Sequence, residues 1–95
     1  MPNDASTALG IVATRGLVAA AEAADAMQKA AVVNYEGRHF LGDGTVTVLI
    51  SGELAAVKAA TDAAVDRARS VGEVLGVTVI SRPSDAVHSL LAPQA

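Results

Sequence analysis

Short apolar runs alternate along this chain with two longer stretches of helical spacing, and that rhythm predicts the elements. Ala8-Leu9-Gly10-Ile11-Val12-Ala13 reads as a short strand. From Gly16 to Ala31 the pattern becomes an alanine-rich helix, with Leu17, Val18, Ala21, Ala24, Ala26 and Met27 offering apolar faces. Glu22, Asp25 and Lys29 recur at three and four residues, so they share one edge of that helix. Val32 to Phe40 is a second strand, interrupted in character by Glu36-Gly37. Thr45 to Ile50 alternates Thr and Val before ending apolar, as a half-buried strand should. Ser51-Gly52-Glu53 starts a second helix that runs to about Ser70, with Leu54, Val57, Ala60, Ala64 and Ala68 spaced to face a sheet, and Gly72 ends it. Val74 to Ile80 is a fourth strand, Pro83 breaks it, and Ser84 caps a short C-terminal helix through about Leu91.

The order β-α-β-β-α-β with a tail helix predicts an α+β domain of the split βαβ, ferredoxin-like kind. It has one four-stranded antiparallel sheet, two main helices on one face, and a short C-terminal helix. Residues 1–7 form a polar, frayed N-terminus, residues 8–91 one domain and residues 92–95 a tail. No internal repeat or low-complexity linker is visible.

Composition adds a constraint. Of the 95 residues 52% are apolar, yet there is one Phe, one Tyr and no Trp, so the apolar mass is mostly Ala and Val. Small side chains bury little area each, at roughly 25 cal/mol per Å². Contacts between subunits supply burial that a lone 95-residue chain cannot, so an obligate oligomer is expected. A net charge of −3 and the absence of a Lys/Arg cluster argue against nucleic acid as a partner. With no cysteine there is no disulfide framework, thiolate nucleophile or Cys-ligated metal. Met1-Pro2-Asn3-Asp4 does not resemble a signal peptide, and charge breaks the apolar stretches short of a membrane span. A soluble, cytoplasmic protein without a membrane partner is expected.

Catalytic chemistry finds little to stand on. His39 and His88 lie far apart and belong to no metal-spacing motif. Glu22, Asp25 and Lys29 read most simply as a solvated face or an intrahelical ion pair. Gly42-Asp43-Gly44 lacks the Lys-Ser/Thr end of a phosphate loop and precedes a strand rather than a helix. Between apolar runs, Asp-Gly signals a hairpin turn. Neither a catalytic group, a cofactor nor a metal is expected, and the fold by itself decides no function.

Three blocks carry more than a pattern: "ALGIVATRGLVAAAEAADAMQKAA", "GDGTVTVLISGELAAVKAATDAA" and "VGEVLGVTVISRPSDAV". In order and without a gap from Ala8 to about Val87, they resemble the single-domain hexameric shell proteins of bacterial microcompartments. The resemblance implies a building block without catalytic activity. Six copies form a flat cyclic hexamer, and hexamers tile into facets alongside other shell proteins. The facets enclose enzymes, and a loop near the sixfold axis lines a pore for small metabolites. Its place is the cytoplasm, in the compartment shell. A small ferredoxin-like oligomer that binds a ligand or regulates stays open as the alternative.

Carried over by position, the resemblance puts Lys29, Val32 and Arg82 at the edge between hexamers. Lys29 falls on the family's edge lysine, with its stem on the neighbouring hexamer and its ammonium toward backbone carbonyls. Arg82 falls on the arginine of a Pro-Arg-Pro motif whose first proline is Ser81 here, and Val32 replaces a common asparagine. The pore-lining set is Phe40, Leu41, Gly42, Asp43 and Gly44, where the common form is Lys-Ile-Gly-Ser-Gly. Both glycines stay, as backbone close to a crowded axis requires. The serine becomes Asp43 and the lysine becomes Phe40. Six carboxylates in a ring would repel one another, raise some of their pKa values and disfavour anions, with Arg38 and His39 partly offsetting the charge.

Overall fold

The computed structural model describes residues 7–81. Its elements are β1 (Thr7–Arg15), α1 (Leu17–Ala30), β2 (Asn34–Phe40), β3 (Thr45–Glu53), α2 (Leu54–Arg69) and β4 (Glu73–Ser81). The four strands pair antiparallel in the order β2-β3-β1-β4. Each helix therefore links two strands across an intervening one, which is the split βαβ arrangement expected from the element order. The C-terminal helix expected at Ser84 to Leu91, the tail beyond it, Arg82 and residues 1–6 lie outside the described residues.

Alternation sorts β1 and β3 into two faces. Ala8 and Val12 of β1, with Val46, Val48 and Ile50 of β3, join one cluster with α1 and α2. The helices contribute Ala19, Ala20, Ala23 and Met27 from α1, and Val57, Ala60, Ala64 and Ala68 from α2. Such small side chains bring helix and sheet close together, and Gly10 marks the nearest approach. A Cβ on Gly10 would stand 2.8 Å from Val57 Cγ1, 3.0 Å from Thr61 Cγ2 and 3.1 Å from Ile50 Cγ1. The one polar side chain deep in the helix-side layer of β1, Thr14, donates its hydroxyl to the carbonyl of Gly16 (3.2 Å) and shares it with that of Val46 (3.4 Å).

Several boundaries differ from the sequence reading, each for a physical reason. The strand β1 starts at Thr7, because Thr7 pairs with Glu53. Gly16 does not begin the helix; it caps α1 from outside with a φ of 85°, a conformation glycine adopts without strain. Val32 and Val33 precede β2 rather than starting it. Ser51, Gly52 and Glu53 do not open α2; they extend β3, held by pairing with Leu9, Ala8 and Thr7. The buried stripe of α1 is also rotated: Leu17 and Val18 are exposed while Ala19, Ala20 and Ala23 are buried. On α2 the expected positions Val57, Ala60, Ala64 and Ala68 are buried, and Leu54 packs against the cluster from its edge.

Replacing Gly10 by alanine should cost roughly 1–3 kcal/mol, because three neighbours must move to admit one methyl group. Denaturant unfolding of the variant checks this; a midpoint equal to the wild type's would show that α2 does not rest on Gly10.

Candidate functional site

Two regions hold the residues singled out in the sequence: the β2–β3 loop and the C-terminal end of α1. The loop runs over Leu41–Gly44, with Phe40 the last residue of β2 and Thr45 the first of β3. Backbone bonds close it. The N–H of Leu41 donates to the carbonyl of Thr45 at 2.8 Å, and the N–H of Gly44 to the carbonyl of Leu41 at 3.4 Å. A third bond, from the Gly16 N–H to the Gly44 carbonyl at 2.8 Å, ties the loop to the junction of β1 and α1. At a φ of 91°, Gly44 adopts a conformation an L side chain resists, so the second glycine is required by the turn itself.

Asp43 is presented at the tip but its carboxylate is not idle. Oδ1 accepts the N–H of Thr45 at 3.1 Å, the short-range bond that Asp-x-Thr sequences form in turns. Hydrogen bonding from Thr45, its side chain first and its amide second, holds the Asp43 carboxyl below the usual carboxylate range, with a smaller pull from Arg15. In the single chain the pull on Asp43 is thus downward, opposite in sign to the mutual repulsion expected of a ring. The other oxygen, Oδ2, takes no part in that bond. Around the tip, Phe40 and Leu41 are exposed, and the Arg38 guanidinium lies 5.5 Å from the Phe40 ring centre. Tyr35, Arg38 and Phe40 pair with Ile50, Val48 and Val46, so they share the helix side of the sheet. The helices do not reach over β2 at Tyr35 and Phe40, and both side chains stay exposed.

At the other region, Lys29 occupies the last turn of α1 and pairs with Asp25 (Nζ to Oδ2, 2.9 Å), and Val32 just beyond is 94% exposed. Glu22, grouped with these two by its spacing, turns instead to the second helix: Arg67 Nε donates to Glu22 Oε1 at 2.6 Å. Partner and charge hold the Arg67 guanidinium above its ordinary pKa, with Glu22 the main cause and Asp25 a minor one. Sequence reading missed Arg67, since no spacing rule relates α1 to α2. It also missed the Thr45 amide, for which Asp43-Gly44-Thr45 was the available signal. The loop and the lysine are separate, and the structure does not bring them into one site. Among the described residues no group of three or more His, Cys, Asp or Glu side chains could hold a metal ion, and no helix is long and apolar enough to cross a membrane.

With this geometry in hand, comparison with known proteins gives consistent matches. The BMC domain family model matches residues 8–83. The bacterial microcompartment shell protein PduA of Citrobacter freundii is 55% identical over 84 residues, covering 88% of this chain and 90% of that protein. The major carboxysome shell protein CsoS1A of Halothiobacillus neapolitanus is 50% identical over 91 residues, covering 93% of each chain. Among solved structures, a microcompartment protein from Desulfitobacterium hafniense superposes with a TM-score of 0.80 at 28% identity, over 96% of this chain and 51% of that one.

Because Asp43 fixes the loop through Thr45, Asp43→Ala should speed hydrogen exchange at the Thr45 amide, whereas Asp43→Asn, which keeps an acceptor, should speed it less. The folded carboxyl titrates below its ordinary value, so the bond's contribution is present above that value. It should be lost only as the pH falls through the lowered pKa. Exchange measured by NMR from acidic to neutral pH checks both the variants and the direction.

Proposed function

The chain belongs to the BMC domain family, and from that premise we propose that it is a structural shell protein of a bacterial microcompartment. It acts in the cytoplasm as part of the shell, by assembling rather than by catalysing a reaction. Copies join head to tail into a closed cyclic hexamer, hexamers tile edge to edge alongside other shell proteins, and the facets surround enzymes. The Phe40–Gly44 loop faces the central axis as the lip of a pore for small metabolites, and Lys29, Val32 and Arg82 lie along the edge between hexamers.

One observation supports the ring most directly. Apart from Leu17 and Val18 at the start of α1 and Val32 just after it, the exposed large apolar side chains lie at the two opposite margins of the sheet: Tyr35, Phe40 and Leu41 at β2 and its loop, Val71, Leu75 and Val77 at and before β4. Two different apolar patches on opposite sides of one subunit suit heterologous contact, in which one margin meets the other margin of the next copy. A self-complementary pair would instead need one patch on one side. The strands at both margins are sheet edges, and a neighbour that covers them removes their exposed backbone groups from wrong pairing.

At the axis, Asp43 would contribute one carboxylate from each subunit. The Oδ2 atoms would give an acceptor-only rim that disfavours anions and admits cations or neutral solutes able to donate hydrogen bonds. Repulsion around the ring would work against the downward pull of the Thr45 hydrogen bonds.

Three measurements test this reading. Phe40→Asp and Val77→Asp should each convert hexamers to smaller species in analytical ultracentrifugation, since a charge enters an apolar margin; intact hexamers from both would overturn the margin-to-margin ring. Lys29→Ala should abolish the sheets or tubes seen by electron microscopy while hexamers persist. Asp43→Ser should raise anion passage relative to cation passage through hexamers reconstituted in planar bilayers, and unchanged selectivity would remove the charge role of the lip.

A further inference from the structure

The exposed flank of α1 carries charged groups that hold one another. Arg67 of α2 donates to Glu22 at 2.6 Å, which fastens the middle of α1 to the neighbouring helix. Asp25, one turn further along, contributes to the field on Arg67 and also takes the ammonium of Lys29 at 2.9 Å. The signs along this stripe run plus, minus, minus, plus, and Lys29 stands at its outer end with 77% of its side chain exposed. The acid precedes the lysine by four residues, the favourable orientation for such a pair, and Lys29 sits in the last turn of α1, where the helix dipole also favours a cation.

A free lysine spreads its ammonium over many rotamers and loses that freedom when it binds. The Asp25 contact removes part of the spread beforehand. It also leaves capacity to bind: an ammonium has three N–H donors, Asp25 occupies one, and two remain for carbonyl oxygens of another molecule. We infer that Asp25 is a positioning residue for the contact Lys29 makes between rings, aiming its ammonium outward, with the Glu22–Arg67 pair bracing the helix behind it. The inference rests on the proposal that Lys29 lies at the ring-to-ring edge. It adds that the edge lysine is presented by its own helix rather than ordered by the neighbour. Preorganisation of this kind favours association by reducing what is lost on contact.

The test uses the full chain and three acid variants. Asp25→Asn keeps the side-chain shape and removes the charge. An exposed pair at this spacing shifts an equilibrium by about twofold, and an edge shared by two rings holds two such lysines. The protein concentration needed for sheets should therefore rise at least about threefold, with hexamer size and melting temperature unchanged. Asp25→Glu, which still reaches Lys29, should restore the wild-type threshold. Asp62→Asn removes another exposed acid, from α2, and it should leave the threshold where it was. A wild-type threshold for Asp25→Asn, or equal shifts from Asp25→Asn and Asp62→Asn, overturns the positioning role. The edge reading fails separately: if Lys29→Ala forms sheets as readily as the wild type, the edge assignment falls first and this inference with it.

Discussion

The domain is held together by close approach rather than by bulk. The largest fully buried side chains are one methionine, Met27, then Ile50, Val12, Val48 and Val57, and the rest of the helix–sheet cluster is chiefly alanine. Side chains this short reach only across a thin layer, so α2 must lie against β1 with no Cβ between them at Gly10. Dispersion falls off within a fraction of an ångström, so the contact depends on that fit. A thin layer also sets how far the helices extend. They cover the centre of the sheet and reach β4 at Val74 and Val79, while Tyr35 and Phe40 of β2 stay exposed.

The margins of the sheet carry larger apolar side chains. Tyr35, Phe40 and Leu41 on one side and Leu75 and Val77 on the other are larger than most residues inside the domain. Side-chain size thus follows location, with alanine prominent where the helices pack on the sheet and larger apolar residues exposed at its margins. Charge pairs on the helix surfaces, as Glu22–Arg67 and Asp25–Lys29, and at the sheet end, where Arg15 of β1 meets Glu73 of β4 at 3.1 Å, while Asp43 stands at the loop tip. Exposed pairs of this kind add little to stability.

Much of the architecture was legible in the chain because strands with one buried face announce themselves, as Thr45 to Ile50 does. The buried face of α1 was not. In a helix built of alanine the inward and outward sides carry the same residue, and Leu17 and Val18, which look like anchors, point out instead. Ser51-Gly52-Glu53 has the composition of a helix start, yet Ser51 is paired with Leu9 and its hydroxyl is bonded to Glu36 at 2.5 Å; long-range pairing overrode the local signal. The turn at Gly42-Asp43-Gly44 was readable from its residue types, whereas its tie to Gly16 depends on tertiary closure and left no local trace. The places of Lys29 and the loop relative to other subunits came from resemblance to a family, because no spacing within one chain encodes a symmetry axis.

The bonds that shape the loop have one more consequence. Three of them, Leu41 to Thr45, Gly44 to Leu41 and Gly16 to Gly44, join backbone atoms only. The course of the loop is therefore set mainly by the main chain, and the Asp43 carboxylate adds a side-chain bond at the Thr45 N–H. Leu41, which enters those bonds only through its backbone, is the position where a change of residue alters what the loop presents and leaves the loop's own course as it was.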